Sequence, residues 1–401
     1  MKLDTLTEMI SALSYSEIKN HQNRIILELT HLGIPQKKQE KILESIFKIV
    51  KITDNPKTRV SFLKSFVRII QNDIEKDGRD SSIIIEITKK CNKNCTHCYS
   101  KHAGQQLEMS DDTLNFLVHF SRKNFKHIFF TGGEPTLDRR ILTIAKENPD
   151  IMFFLFTNGS ILTKEYAEEL AILGNVIPLL GIDGRSASTH DRFRGKGSYA
   201  EILRAIKNLN DCNVCWGFIT LVAENNADEV LSQEFLDDKI RKGAIIARYL
   251  EYIPVGPRPL FDCILSGENY YKMEKRKHQI VKSGKIYMQE IGESKCSGLL
   301  FFTVNGDIKN CFCFHYAKYN VHSGELKDSV EKTRKDWISY NWEGECPIYS
   351  DPIGFKKYLE KKGWHYLSKA EEPYLINNEL AQQLKDHYQT FLKLKAKKGY
   401  N

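Results

Sequence analysis

Residues 82–98 read SIIIEITKKCNKNCTHC, and how that stretch divides decides the fold. Ile83–Thr88 is an apolar, β-branched run of the kind that forms a strand buried on both faces. Two lysines end it, and a polar loop follows with cysteines at 91, 95 and 98. Working outward, apolar runs recur at His127–Thr131, Met152–Phe156, Val176–Ile182, Val214–Thr220 and Tyr249–Pro254, each read as a strand. Helical stretches separate them at Ser110–Phe120, Thr163–Leu173, Tyr199–Leu209 and Asp228–Ile240, and Ser110 before Asp111-Asp112 is a good helix start. Strands alternating with helices imply a parallel α/β sheet, either doubly wound or curled toward a barrel. Chemistry in such folds sits at the C-terminal strand ends. The unusual clusters obey that rule. The cysteine loop follows the first strand, Gly132-Gly133-Glu134-Pro135 the second, Thr157-Asn158-Gly159 the third and Asp183-Gly184 the fourth.

Flanking regions carry less chemistry. Residues 1–80 read as successive helices and are expected to pack on the α/β domain, residues 81–265, or to contact a partner. Residues 266–350 lose the alternation and contain a hairpin, Leu299–Val304 and Ile308–Phe312 around Asn305-Gly306-Asp307. Residues 351–401 read as a charged helical tail. No apolar run approaches the ~20 residues of a membrane span. The N-terminus lacks the layout of a secretory signal, so a cytoplasmic protein is expected. The net charge of +8 owes much to Lys393, Lys395, Lys397 and Lys398, read as a solvated helix face; no membrane contact is expected, nor a nucleic-acid partner.

Ten cysteines in a reducing compartment are not a disulfide framework, and their clustering suggests metal. Three thiolates in one loop can hold a [4Fe–4S] cube with one iron left open to chelate an amine and a carboxylate. Zinc, with His97 or a distant cysteine as fourth ligand, and a reactive thiol pair are the alternatives.

CNKNCTHC resembles the CxxxCxxC loop of the radical S-adenosylmethionine (SAM) superfamily, and TGGEP at 131–135 resembles its glycine-rich SAM-binding segment. TNG at 157–159, GIDG at 181–184 and HDRFRGKGSY at 190–199 fit further positions, the last in the subgroup with SPASM or Twitch extensions. The resemblance implies a partial (β/α)6 TIM-like barrel with a Twitch-like auxiliary domain. Cys91, Cys95 and Cys98 would hold the catalytic cluster, and His97, Gly132, Gly133, Glu134, Pro135, Asn158, Asp183 and Arg194 would surround SAM. Arg194 would pair with the SAM carboxylate, failing which it forms a salt bridge. Two positions depart from the pattern: His97 replaces an aromatic, and Gly181 stands where serine is frequent.

Cys296-x9-Gly306-x4-Cys311 resembles the opening of the SPASM pattern, but the dense cysteine run that should follow is missing. Cys296, Cys311, Cys313 and Cys346 suffice for one auxiliary [4Fe–4S] cluster; buried thiols or zinc are the alternatives. Cys311 and Cys313, two apart, would face one way on a strand. Cys263 is a reserve ligand, whereas Cys212 and Cys215 read as core residues.

The implied activity is one-electron cleavage of SAM to a 5′-deoxyadenosyl radical that takes hydrogen from a peptide or protein side chain. A one-electron donor such as flavodoxin or ferredoxin would supply the electron. Modification of a small molecule or nucleotide, with Glu251 and Tyr252 as pocket anchors, is the alternative; a non-catalytic redox sensor is the third.

Overall fold

A computed structural model describes Leu6, Ile10 and residues 14–71, 82–100, 106–255, 259–288, 299–340, 346–367, 375 and 377–398. Strands β1 (Ile83–Thr88), β2 (His127–Gly132), β3 (Met152–Thr157), β4 (Val176–Gly181), β5 (Trp216–Val222) and β6 (Ala244–Glu251) pair in chain order, each pair parallel. Alternation along each strand divides the core. Ile84, Phe129, Phe154, Leu179 and Ile246 gather inside the curve of the sheet. Ile83, Ile85, Phe130, Phe153 and Leu155 face outward, toward the helices. This is the expected partial barrel.

The last two strands of the barrel are displaced from the apolar runs, β5 later in the sequence and β6 earlier. Val214 is still bonded to Leu209 O, and Asn213 turns at φ 54°, so β5 starts only at Trp216. β6 begins at Ala244, hidden in the sequence by Arg248 inside its apolar run. The helical stretch at 228–240 is two helices, Ala227–Val230 and Gln233–Arg241, the second capped by Ser232. Ser110 caps Asp111–Asn124 as its sequence suggests, accepting from Thr113 N–H.

The region beyond 265 extends this sheet. β7 (Tyr287–Met288) adds to β6, and β8 (Leu300–Phe302) runs parallel beside β1. β9 (Asp307–Lys309) folds back antiparallel on β8, with Gly306 at φ 84° in the turn, and is shorter than the expected Ile308–Phe312. Cys311 and Cys313 therefore sit in the irregular segment after the strand. β10 (Tyr316–Ala317) pairs with β12 (His365–Tyr366), and β11 (Tyr319–Asn320) joins β9.

The N-terminal helices Gln22–His31, Gln36–Ile52 and Pro56–Gln71 share a small core of Ile25, Leu29, Ile42, Ile46, Leu63 and Val67. Arg68 ties them to the barrel, donating to the carbonyls of Arg122, Phe125, Lys126 and Asp150 at 2.6–3.0 Å. Those carbonyls precede β2 and β3. The helical segment thus docks at the N-terminal end of the strands, opposite the sequence motifs. Among the described residues no helix is long and apolar enough to cross a membrane.

Candidate active site

A cavity of about 490 Å³ opens at the C-terminal strand ends, and Cys91, Cys95, Cys98, His97, Arg194 and Cys313 are among its walls. The first three cysteines sit on a loop with no regular structure, fastened from several sides. Gly133 N–H donates to Thr88 O and Glu134 N–H to Lys90 O, both at 2.8 Å, so the turn after β2 grips the root of the loop. Asn158, after β3, donates to Asn92 Oδ1 at 3.0 Å, and Asn92 donates to Ser160 Oγ at 2.8 Å. Lys93 pairs with Glu201, and Thr96 N–H donates to Phe193 O at 2.9 Å.

The glycines of the GGEP turn owe their identity to this grip. A Cβ on Gly132 would stand 2.0 Å from Thr88 O, and one on Gly133 would stand 2.1 Å from Lys90 O. Their small size is needed against the protein's own backbone. Glu134 is buried and spends both oxygens internally: Oε1 accepts from Thr136 N–H and from the Thr136 and Thr157 hydroxyls, Oε2 from Asn158 N–H. Burial raises its pKa, against the pull of those bonds. Glu134 locks β2 to β3. Pro135 begins the short helical turn behind it.

Behind the cysteines lies a buried charged group. Arg194 Nε donates to Asp183 Oδ2 at 2.6 Å, and Asp183 Oδ1 accepts from Leu221 N–H at 2.9 Å. Burial alone would raise the Asp183 carboxyl, but the Arg194 guanidinium, then His97, hold it below its ordinary range. His97 Nε2 lies 3.6 Å from Asp183 Oδ2, its ring edge-on to Phe193, while its Nδ1 is buried without a hydrogen bond. Burial lowers His97 to about 4, so the ring is neutral. The guanidinium of Arg194 lies over Gly181, where an added Cβ would come within 2.3 Å of one of its nitrogens. Serine at 181 would displace the arginine, which accounts for the glycine there.

The three cysteines suit a cluster. Burial raises each thiol, Cys98 to about 11, so thiolates here call for a bound cation. Among the described residues no three His, Cys, Asp or Glu side chains close on a point as a single ion requires. Three sulfurs spread round a cavity, an adjacent guanidinium and the unsatisfied His97 Nδ1 match an iron–sulfur cube with a polar cosubstrate beside it.

The second group is more deeply placed. Cys311 and Cys313 are 6% and 4% exposed, and Cys346 caps the short helix Pro347–Ser350. Burial raises Cys313, with Cys311 and Glu251 adding to the rise and Cys346 close enough to contribute. Cys296 lies outside the described residues. Cys263 accepts from Asn225 at 3.1 Å, and Cys215 contacts Thr53 at 2.9 Å. Glu251 and Tyr252 line the cavity, the Tyr252 hydroxyl accepting from Leu260 N–H.

Several contributors escaped sequence reasoning. Glu86 and Arg248 interrupt apolar strands, and Lys309 follows Ile308; a charge inside a buried run was the available signal. Arg248 lies over Phe129 and Phe156 at 5.7 and 5.4 Å in the cavity floor.

A partial parallel barrel with a three-cysteine loop at its C-terminal rim is an arrangement that can hold an iron–sulfur cluster. Residues 85–234 match the family model of the Radical SAM superfamily. The AdoMet-dependent heme synthase of Methanosarcina barkeri is 28% identical over 212 residues, 51% of this chain and 59% of that protein. Sporulation killing factor maturation protein SkfB of Bacillus subtilis is 29% identical over 180 residues, 44% of this chain and 43% of that one. The chain thus spans about half the length of the curated relatives it matches. The crystal structure of Streptococcus suis SuiB bound to precursor peptide SuiA shares the fold, with a TM-score of 0.55 at 15% identity over 72% of this chain and 73% of that one.

Proposed function

We propose that the chain is a radical SAM enzyme acting on a peptide or protein side chain, its one electron drawn from a flavodoxin- or ferredoxin-type donor. The observation that carries this reading is the gathering of Cys91, Cys95, Cys98, the turn after β2 and the Asp183–Arg194 pair round one cavity. In this reading the three sulfurs hold three irons of a [4Fe–4S] cluster. When bound, cluster and SAM supply reductive cleavage to methionine and a 5′-deoxyadenosyl radical, which takes a hydrogen atom from the substrate.

The protein's part is placement and shielding. Asp183 fixes Arg194 through Nε, so its remaining nitrogens, laid over Gly181, are held in place for a carboxylate. His97 Nδ1 and Asn158 border the same space. Ile84, Phe156, Ile219, Leu250 and Phe301 line the deeper cavity and exclude water from a reactive carbon radical. Cys311, Cys313 and Cys346, with Cys296, would hold an auxiliary cluster, and Cys313 borders the cavity itself.

The peptide reading draws on the maturation protein SkfB and on peptide-bound SuiB. The heme synthase relative supports a second reading, a small-molecule substrate. Anaerobically reconstituted protein, reduced with dithionite, should form 5′-deoxyadenosine from SAM and form it faster with a peptide substrate. Stimulation by metabolites alone would move the assignment to the second reading. No 5′-deoxyadenosine under any condition would leave a redox sensor.

A further inference from the structure

We infer that Lys309 is the buried cation that sets the charge balance, and with it the reduction potential, of the second cysteine site. The inference rests on the proposed auxiliary cluster and adds the residue that tunes it. Lys309 ends β9, two positions before Cys311, and is 2% exposed. Its ammonium donates to the carbonyl of Phe312, the residue between Cys311 and Cys313, at 3.3 Å. It also donates to His315 Nδ1 at 3.3 Å and lies 4.4 Å over the Phe301 ring.

Those contacts hold the amine against the backbone of the loop that carries two of the sulfurs; burial lowers its pKa, and Glu86 with the sulfurs of Cys311 and Cys313 acts against that fall. A buried ammonium costs several kcal/mol in lost hydration, and a lone apolar residue would fill this space without that cost. Its presence is accounted for by negative charge nearby. Lys309 faces Glu86 on β1 and the sulfurs of Cys311 and Cys313, with Lys89 as the neighbouring like charge. Glu86 is held elsewhere, accepting from Ser100 Oγ at 3.3 Å and from Val304 N–H at 3.1 Å. Glu251 acts on the same two cysteines with the opposite sign.

Charges in a poorly screened interior act strongly on a site that changes charge by one electron, and local charge is among the levers that set cluster potentials. The lysine favours the reduced form and Glu251 the oxidised form. Arg194 stands in the corresponding place beside Cys95 and Cys98 at the first site.

The test uses the full chain, reconstituted anaerobically, with iron counted and both midpoints followed by redox titration under electron paramagnetic resonance. Lys309→Met should retain both clusters and lower the second midpoint by at least a tenfold change in its reduction equilibrium, about 59 mV for one electron. Lys309→Arg should stay within that span of the wild type. Should Lys309→Met fail to assemble, Glu251→Gln must shift the second midpoint upward. Two clusters per chain with no downward shift in Lys309→Met, no upward shift in Glu251→Gln, or an equal shift at the first site, would overturn the inference alone. One cluster per chain in the wild type would remove the auxiliary cluster and this inference together, leaving the SAM-cleaving assignment in place.

Discussion

Cys91, Cys95 and Cys98 ride a partly exposed loop that owes its shape to hydrogen bonds from the turns after β2 and β3 and from the helices at 187–211. Cys311 and Cys313 lie within the core, followed in the chain by Phe314, whose ring packs against Trp337 and Phe355, and take their position from packing. The first arrangement leaves sulfurs facing a cavity where a small molecule can enter. The second encloses its sulfurs on most sides, and among its described cysteines only Cys313 reaches that cavity. Each has a buried cation, but Arg194 is paired directly with Asp183, whereas Lys309 is bonded to neutral acceptors. The lesson is that cysteines can be held by polar scaffolding where the site is open and by apolar packing where it is enclosed.

The comparison breaks most sharply on the cysteines themselves. Cys98→Ala should abolish formation of 5′-deoxyadenosine, whereas Cys313→Ala should keep substrate-independent SAM cleavage measurable while losing the iron of the second site. Equal loss in both variants would mean the two groups form one centre. A smaller effect is expected at Asp183. Asp183→Asn strips Arg194 of its counter-ion in a buried setting and should destabilise the fold by ~3–5 kcal/mol, read from urea unfolding. A loss below ~1 kcal/mol would show that solvent, rather than the carboxylate, compensates the guanidinium.

The smallest effect concerns pH. Burial lowers His190 to about 4, and its Nε2 is enclosed without a hydrogen bond. Between about pH 6.5, where the unfolded chain takes up a proton, and pH 4, the folded ring stays neutral. Unfolding therefore binds a proton in that window, and stability rises with pH across it and falls on acidification. His190→Gln should flatten the slope by about 1 kcal/mol per pH unit, measured by unfolding at several pH values. His127, lowered to about 3 by burial, remains as the internal reference.

Much of this was legible in the sequence because the barrel strands are buried on both faces and stand out as apolar runs. β1 lies where Ile83–Thr88 placed it, and β2 to β4 are within one residue at each end. β6 was displaced because Arg248 breaks its apolar pattern while stacking on Phe129 and Phe156 inside the barrel. The spacing of the cysteines marked the first group, but not its attachments. Asn92, Glu201 and Phe193 bear ordinary surface or core chemistry, and only the folded chain brings them to the loop. Lys309 and Glu86 were invisible as a pair because their meeting depends on β8 joining β1.

That junction also governs the order in which the molecule can be made. Ile83 finds its outer neighbour only at Leu300, so the flank of β1 waits for a segment synthesised much later. At ~5–20 residues per second on the ribosome the wait lasts roughly ten to forty seconds. Throughout it an isoleucine-rich edge is open to pairing with another nascent chain. Chaperone demand and yield in a heterologous host should therefore track how quickly translation reaches the C-terminal hairpin.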